Sequence, residues 1–305
     1  LWLSFTTIQA RSTEDVPDKG TYAKFLLVGC YMKPDEEGVR MYRFDGQTAD
    51  VDYPCGLRGI SNPAFLTSDS TGNRIYAIGD DEGKSSTANA LLFDKESGLL
   101  SLLNSQSTDG ELPIYITLSP KEYFVLTANY KGGSITVFSQ DKKGKLQRDT
   151  KIIRFAGNGP NKKRQEQSHL HCVTFTPDGK FLLATDLGTD CIYLFPIGKR
   201  PEAGKAHSLL DESRVVRIQM DSGSGPRHIC FHPNGRFAYL ISELSGKITV
   251  FSYNEGKLER LQTIVCDPFV AEGNADIHVS SDGKFLYASK HLKEDGIIVY
   301  SIDSQ

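Results

Sequence analysis

The chain has 305 residues, 39% of them hydrophobic, and a formal net charge of −3. That is enough apolar material for the core of one large domain, and the wrong sign of charge for a nucleic-acid partner. No stretch approaches the roughly 20 apolar residues of a membrane helix, so no membrane partner is expected, and six cysteines (Cys30, Cys55, Cys172, Cys191, Cys230, Cys266) without a Cys-x-x-Cys pair or a His/Cys metal spacing read as small hydrophobes carrying thiols.

In chain order, LWLSFTTIQA is apolar and precedes the polar RSTEDVPDKG. Residues 1–20 therefore read as an N-terminal extension with the composition of a clipped secretory signal, although no basic segment precedes it and Ile-Gln-Ala is a poor cleavage triplet. KFLLVGCY and GVRMYRFD read as the second and third strands of a unit that lacks its first. One phrase then recurs five times: a short apolar strand, a polar turn of the Pro-Asp-Gly kind, and a second apolar strand. The copies are NPAFLTSDSTGNRIYAI, LPIYITLSPKEYFVLTANY, SHLHCVTFTPDGKFLLATDL, GPRHICFHPNGRFAYLISEL and NADIHVSSDGKFLYASKHL, followed later by third strands such as SITVFS, CIYLFP, KITVFSY and GIIVYSI. The turn residue falls at Gly72, Glu122, Gly179, Gly235 and Gly283. Strands rich in Val, Ile, Tyr, Phe and Thr, repeating about every fifty residues without helical periodicity, predict an all-β fold of propeller type.

Residues 21–305 are expected to form a single β-propeller domain. Six units are visible, counting the partial first one. Either the ring has six blades, with LWLSFTTI supplying a strand, or a further C-terminal unit of about fifty residues belongs to it and lies outside this chain; the resemblance given below favours the second. The basic run around Lys142–Arg148 and NKKRQ at Asn161–Gln165 are expected to be solvated loops.

In a propeller the first strand of each blade lines the axial channel. Six residues before the turn proline, or its stand-in, the copies carry Ala64, Ile114, His171, Arg227 and Ala275. Eight residues past the turn glycine they carry Asp80, Tyr130, Leu187, Glu243 and His291, with Tyr31 equivalent in the partial unit. Packing alone would make equivalent positions alike, so this mixture of ionisable groups points to a small-molecule site; a water-filled channel is the alternative. His171 has the near-neutral ionisation that suits acid–base work, against a structural histidine bonded to a carbonyl. Arg227 offers a planar fork for a carboxylate or phosphate, against an ion pair with Glu243, and the two are compatible. His169 shares the facing of His171 by the period-two rule. Asn129 and Asp186 sit one residue before the second ring, where capping a turn is their alternative role. His207, His228, His232 and His278 read as structural, with His228 and His278 pointing into a blade interface. No Ser/His/Asp elbow, phosphate-cradling glycine loop, HExxH or cofactor motif is present, so no metal and no cofactor is expected.

VGCY at Val28, NPAFL at Asn62, LTANYKGGSITVF at Leu126, HLHCVTFTPDGKFLLATDLGTDCIYLF at His169, GPRHICFHPNGRFAYLISEL at Gly225 and IHVSSDGKFLYAS at Ile277 together resemble the seven-bladed lactonase family, which includes propeller-type 6-phosphogluconolactonases and fungal carboxymuconate lactonizing enzymes. The resemblance implies hydrolysis of a sugar-acid lactone, with a 6-phosphogluconolactone-like substrate. It implies His171 as general base, Glu243 as the group that orients water or protonates the leaving oxygen, and Arg227 as an anion clamp. Where the fungal branch has a second arginine this chain reads Ala-Ser-Lys-His, so Lys290 or His291 is expected to supply positive charge, with His169, Tyr130 and Asn129 completing the substrate-binding set. The alternatives are muconate cycloisomerisation on the same residues and a non-catalytic binding scaffold. The expected partner is a small-molecule lactone or sugar acid, the expected state a monomer or weak homo-oligomer. A phosphorylated substrate implies the cytoplasm, a true signal remnant the periplasm or export.

Overall fold

The computed structural model describes residues 4–8, 23–199, 201–266, 273–291 and 295–303. In chain order these form six antiparallel meanders, the sheet type of a β-propeller blade. The first is built from Ser4–Ile8, Ala23–Gly29, Val39–Asp45 and Val51–Leu57, and the second from Leu66–Ser68, Arg74–Asp80, Ser86–Asp94 and Leu99–Ser107. The third comprises Pro113–Leu118, Phe124–Asn129, Ser134–Gln140 and Leu146–Arg154, and the fourth Leu170–Phe175, Phe181–Asp186, Cys191–Pro196 and Val216–Gln219. The fifth comprises Pro226–Phe231, Phe237–Ser242, Lys247–Asn254 and Lys257–Val265; the sixth has three described strands, Asn274–Val279, Phe285–Lys290 and Gly296–Ser301. Two short 3-10 turns, Ala206–Ser208 and Glu212–Arg214, occupy the insert in the fourth sheet.

The repeated turn forms as its sequence dictates. Gly72, Gly179, Gly235 and Gly283 have φ of 69°, 65°, 71° and 75°, the left-handed region that glycine enters without steric cost. Glu122, standing where the second copy lacks glycine, adopts the same conformation at 56°, and its amide closes the turn on the Ser119 carbonyl at 2.7 Å. The strand missing from the first unit is supplied by Ser4–Ile8, which pairs with Ala23–Gly29 in a register that sets Ser4 opposite Gly29. The rest of the expected 1–20 extension, residues 1–3 and 9–20, lies outside the described residues.

The chain divides into two compact units, one of residues 1–127, 136–151 and 203–206, the other of residues 128–135, 152–202 and 207–305. In the first, Leu27, Val39, Met41, Leu66, Ile75, Leu91 and Phe93 make one buried cluster and Tyr76, Ile78, Ala88, Ile116, Val125 and Phe138 another. In the second, Tyr239, Ile241, Ile248, Ile277, Leu286 and Ala288 pack together between the last two sheets. The second strand of the fourth and of the fifth sheet is buried along all but its first residue, which is why FLLATD and FAYLIS read as continuous apolar runs. The fourth strands are largely exposed, as in Lys257–Val265.

Candidate active site

The first strands of the last three sheets, Leu170–Phe175, Pro226–Phe231 and Asn274–Val279, lie side by side in the second unit. Each carries the same irregularity. Pairing steps from Leu170 opposite Asp186 to Cys172 opposite Thr185, from Pro226 opposite Ser242 to His228 opposite Ile241, and from Asn274 opposite Lys290 to Ile277 opposite Ala288. Each step leaves one extra residue on the first strand: His171, Arg227, and one of Ala275 and Asp276. Such a β-bulge re-aims a side chain and recurs beside active sites. His171 and Arg227, two positions at which the repeat diversifies, are therefore among those the backbone frees from the ladder.

Glu243 follows the strand Phe237–Ser242 and is fixed by its backbone, its amide donating to Gly225 O at 2.8 Å and its carbonyl accepting from Gly273 N at 3.1 Å. Its buried carboxylate gathers the cluster. Oε2 accepts from Arg227 Nε at 3.0 Å, Oε1 accepts from an Arg164 terminal nitrogen at 2.6 Å, and His171 Nε2 lies 3.8 Å from Oε2. The two guanidiniums differ in access. Arg227 is 0% exposed and also donates to the Ala275 carbonyl, whereas the Arg164 side chain is 38% exposed. Arg227 thus makes the ion pair with Glu243 that was the alternative to, and compatible with, an anion clamp, and it does so wholly buried, while Arg164 reaches solvent beside the same carboxylate.

His171 is buried, and its Nδ1 makes no hydrogen bond of ordinary geometry among the described residues. Burial, then the charges of Arg227, His228 and Arg164, hold its ionisation well below the usual histidine value. It is therefore a neutral imidazole at neutral pH, able to accept a proton. The His228 ring meets it edge-on with centroids 5.1 Å apart, and His228 Nδ1 lies 2.7 Å from Asp276. Asp276 also meets His278 Nε2 at 2.9 Å. Burial pushes the Asp276 carboxyl up, but the two histidines outweigh it and hold it well below the usual range, while the hydrogen bond to Asp276 raises His278.

Tyr130 and His169 join this cluster in supporting places. Tyr130 stacks on His169 with centroids 4.3 Å apart and 14° between planes, and meets His171 edge-on at 5.5 Å. Both His169 ring nitrogens are engaged, Nδ1 at the Tyr130 carbonyl and Nε2 at Glu166, each at 3.1 Å. His169 thus braces Tyr130, and the bulge at His171 interrupts the alternation that gave the two histidines one facing. Asn129 donates to Ser134 Oγ at 3.1 Å, and Asp186 accepts from His169 N and Gly188 N, so both cap turns. His291 Nδ1 lies 2.7 Å from the Gly273 carbonyl, and Lys290 is buried at the strand end opposite Asn274.

Arg164 was not legible as a site residue. It lies in the NKKRQ run expected to be solvated, and Lys162 and Lys163 are indeed exposed. Arg164 turns inward because its neighbour is an anchor: Gln165 is 0% exposed, donates to Leu187 O and Asp190 Oδ1 at 2.8 Å each, and closes a turn on Asn161 O at 2.7 Å. Glu166 and Asp276, one holding His169 and the other His228, were also missed.

A propeller whose bulged inner strands set a neutral imidazole against a carboxylate held by two guanidiniums is built for acid–base chemistry on an anionic or polar small molecule. Comparison with known proteins agrees. Residues 25–305 match the family described as Lactonase, 7-bladed beta-propeller, and the chain belongs to that family. It is 33% identical over 284 residues to a Bacillus subtilis protein named 6-phosphogluconolactonase, covering 90% of this chain and 77% of that one. A solved structure from Bacteroides fragilis, described as a candidate 6-phosphogluconolactonase, superposes with a TM-score of 0.87 at 39% identity over 94% of this chain and 80% of its own. A periplasmic gluconolactonase from Pseudomonas aeruginosa superposes with a TM-score of 0.81 at 29% identity, over 92% of this chain and 79% of its own.

Proposed function

We propose that the protein hydrolyses a sugar-acid lactone of the 6-phosphogluconolactone kind at the His171–Glu243 cluster. The observation that carries this reading is the buried imidazole 3.8 Å from a carboxylate that two guanidiniums fix in place. Water attacks the ring carbonyl carbon as His171 Nε2 takes its proton; a C–O bond forms and the carbonyl oxygen becomes an oxyanion. Glu243, close to Nε2, stabilises the imidazolium so made. The intermediate collapses by breaking the bond to the ring oxygen, which receives the proton back from His171, and the product is the open hydroxy acid. Since both Glu243 oxygens already accept from guanidinium groups, its part is to orient and stabilise, and His171 carries the proton both ways. Depressed ionisation suits that base, because it stays deprotonated at working pH.

The test is product analysis on 6-phosphoglucono-δ-lactone, glucono-δ-lactone and a muconolactone. Faster ring opening to 6-phosphogluconate than the spontaneous rate supports the reading. Conversion of the muconolactone to a muconate alone would move the protein to cycloisomerisation, and no rate on any lactone would leave a binding scaffold.

A further inference from the structure

We propose that Arg164 is the specificity-determining residue that takes the anionic substituent of the substrate, a phosphate ester remote from the lactone carbonyl. This deepens, and rests on, the lactonase reading above. Arg164 belongs to neither set of repeat-equivalent positions; it projects from the connection after the third sheet, held by the buried Gln165. Both of its hydrogen bonds, to Glu243 Oε1 at 2.6 Å and to the Tyr130 hydroxyl at 3.4 Å, leave from one terminal nitrogen. Among the described residues its Nε and its other terminal nitrogen make no hydrogen bond. A guanidinium has five N–H donors in a planar fork that matches phosphate and carboxylate, so the free edge of Arg164 is a half-used anion site on a side chain that reaches solvent.

Its placement suits a remote anion. His171 approaches Glu243 at Oε2, 3.8 Å away, and Arg164 approaches it at Oε1, 2.6 Å away, so the base and the fork meet different oxygens of one carboxylate. A substrate with its carbonyl at His171 would carry its charged substituent several bonds away. Arg227 cannot serve, being wholly buried with its Nε on Glu243. Lys162 and Lys163, next in sequence, are exposed and would act only as diffuse charge. Were Arg164 merely structural, its loss would slow every substrate alike.

The experiment compares kcat/KM for 6-phosphoglucono-δ-lactone and glucono-δ-lactone in wild type, Arg164→Gln, Arg164→Lys and Lys163→Gln. The preference ratio should fall about 10- to 100-fold in Arg164→Gln, through KM for the phosphorylated substrate, as expected for losing charge-assisted bonds. Arg164→Lys should fall between, and Lys163→Gln should keep the wild-type ratio. An unchanged ratio in Arg164→Gln, or an equal loss in Lys163→Gln, overturns the inference. Titration calorimetry with 6-phosphogluconate and gluconate separates it from the lactonase reading. A protein that hydrolyses no lactone yet binds 6-phosphogluconate through Arg164 keeps this inference and loses that reading, and one that binds neither acid loses both.

Discussion

Replacing Glu243 by Gln should cost about 3–5 kcal/mol of stability, because it strips the counter-charge from a guanidinium that cannot reach water. Arg227 and Glu243 side chains are 0% and 4% exposed with 3.0 Å between Nε and Oε2. At an effective dielectric near 20 that separation corresponds to an attraction of about 5 kcal/mol, much of it offset by desolvation, so the cost of breaking the pair exceeds its net worth. The structure also predicts an asymmetry. Arg227→Met leaves Glu243 its second partner, Arg164, and should cost about 1–3 kcal/mol, mostly packing and the lost bond to the Ala275 carbonyl. Arg164→Gln removes the half-exposed partner and should cost no more than about 1 kcal/mol. The double variant Arg227→Met/Glu243→Gln should lose less than the two single losses combined, since neither member of the pair is left as a stranded charge. Urea unfolding followed by circular dichroism reads all four. A Glu243→Gln loss below about 1 kcal/mol, or Arg227→Met as the more damaging single change, would refute this account of the cluster.

Other outcomes follow from the same geometry. The acid limb of kcat/KM should fall below pH 6.5, because burial and Arg227 keep His171 neutral until well under its usual value; a midpoint above 6.5 would contradict the assignment. Folding stability should rise with pH just below 6.5 through His171 and His228, both of which bind protons less readily folded than unfolded, and an Asn at position 171 should flatten that slope as read by urea midpoints. Gly188→Ala should cost about 1–3 kcal/mol or more and slow turnover, since a Cβ there would sit 1.8 Å from the Gln167 carbonyl oxygen and push on the segment that carries Arg164 and His169; wild-type melting and rate would show that the segment yields.

The repeat made most of the fold readable, since each Pro-Asp-Gly turn states both its glycine and the strands around it. It also located His171, Arg227 and Glu243 by comparing copies that packing alone would have kept alike. What it could not carry were features without counterparts in other copies. Arg164 sits in a connection unique to its position, and only the burial of Gln165, a polar residue with no sequence signal of being inside, turns it inward. The outermost strands, such as Lys257–Val265, alternate too weakly to stand out. Period two failed at His169 because the bulge at His171 consumes a residue, and no local pattern in SHLHCV announces it. The depth of the two arginines was likewise invisible in the sequence, Arg227 being wholly buried and Arg164 partly exposed.

The most direct test of the central claim is proton release by pH-stat on 6-phosphoglucono-δ-lactone with the wild-type protein and His171→Ala, each set against the spontaneous rate. A wild-type rate above background that drops about 10²–10⁴-fold in the variant, as for loss of a general base, is the result predicted. Undiminished hydrolysis in His171→Ala would contradict it.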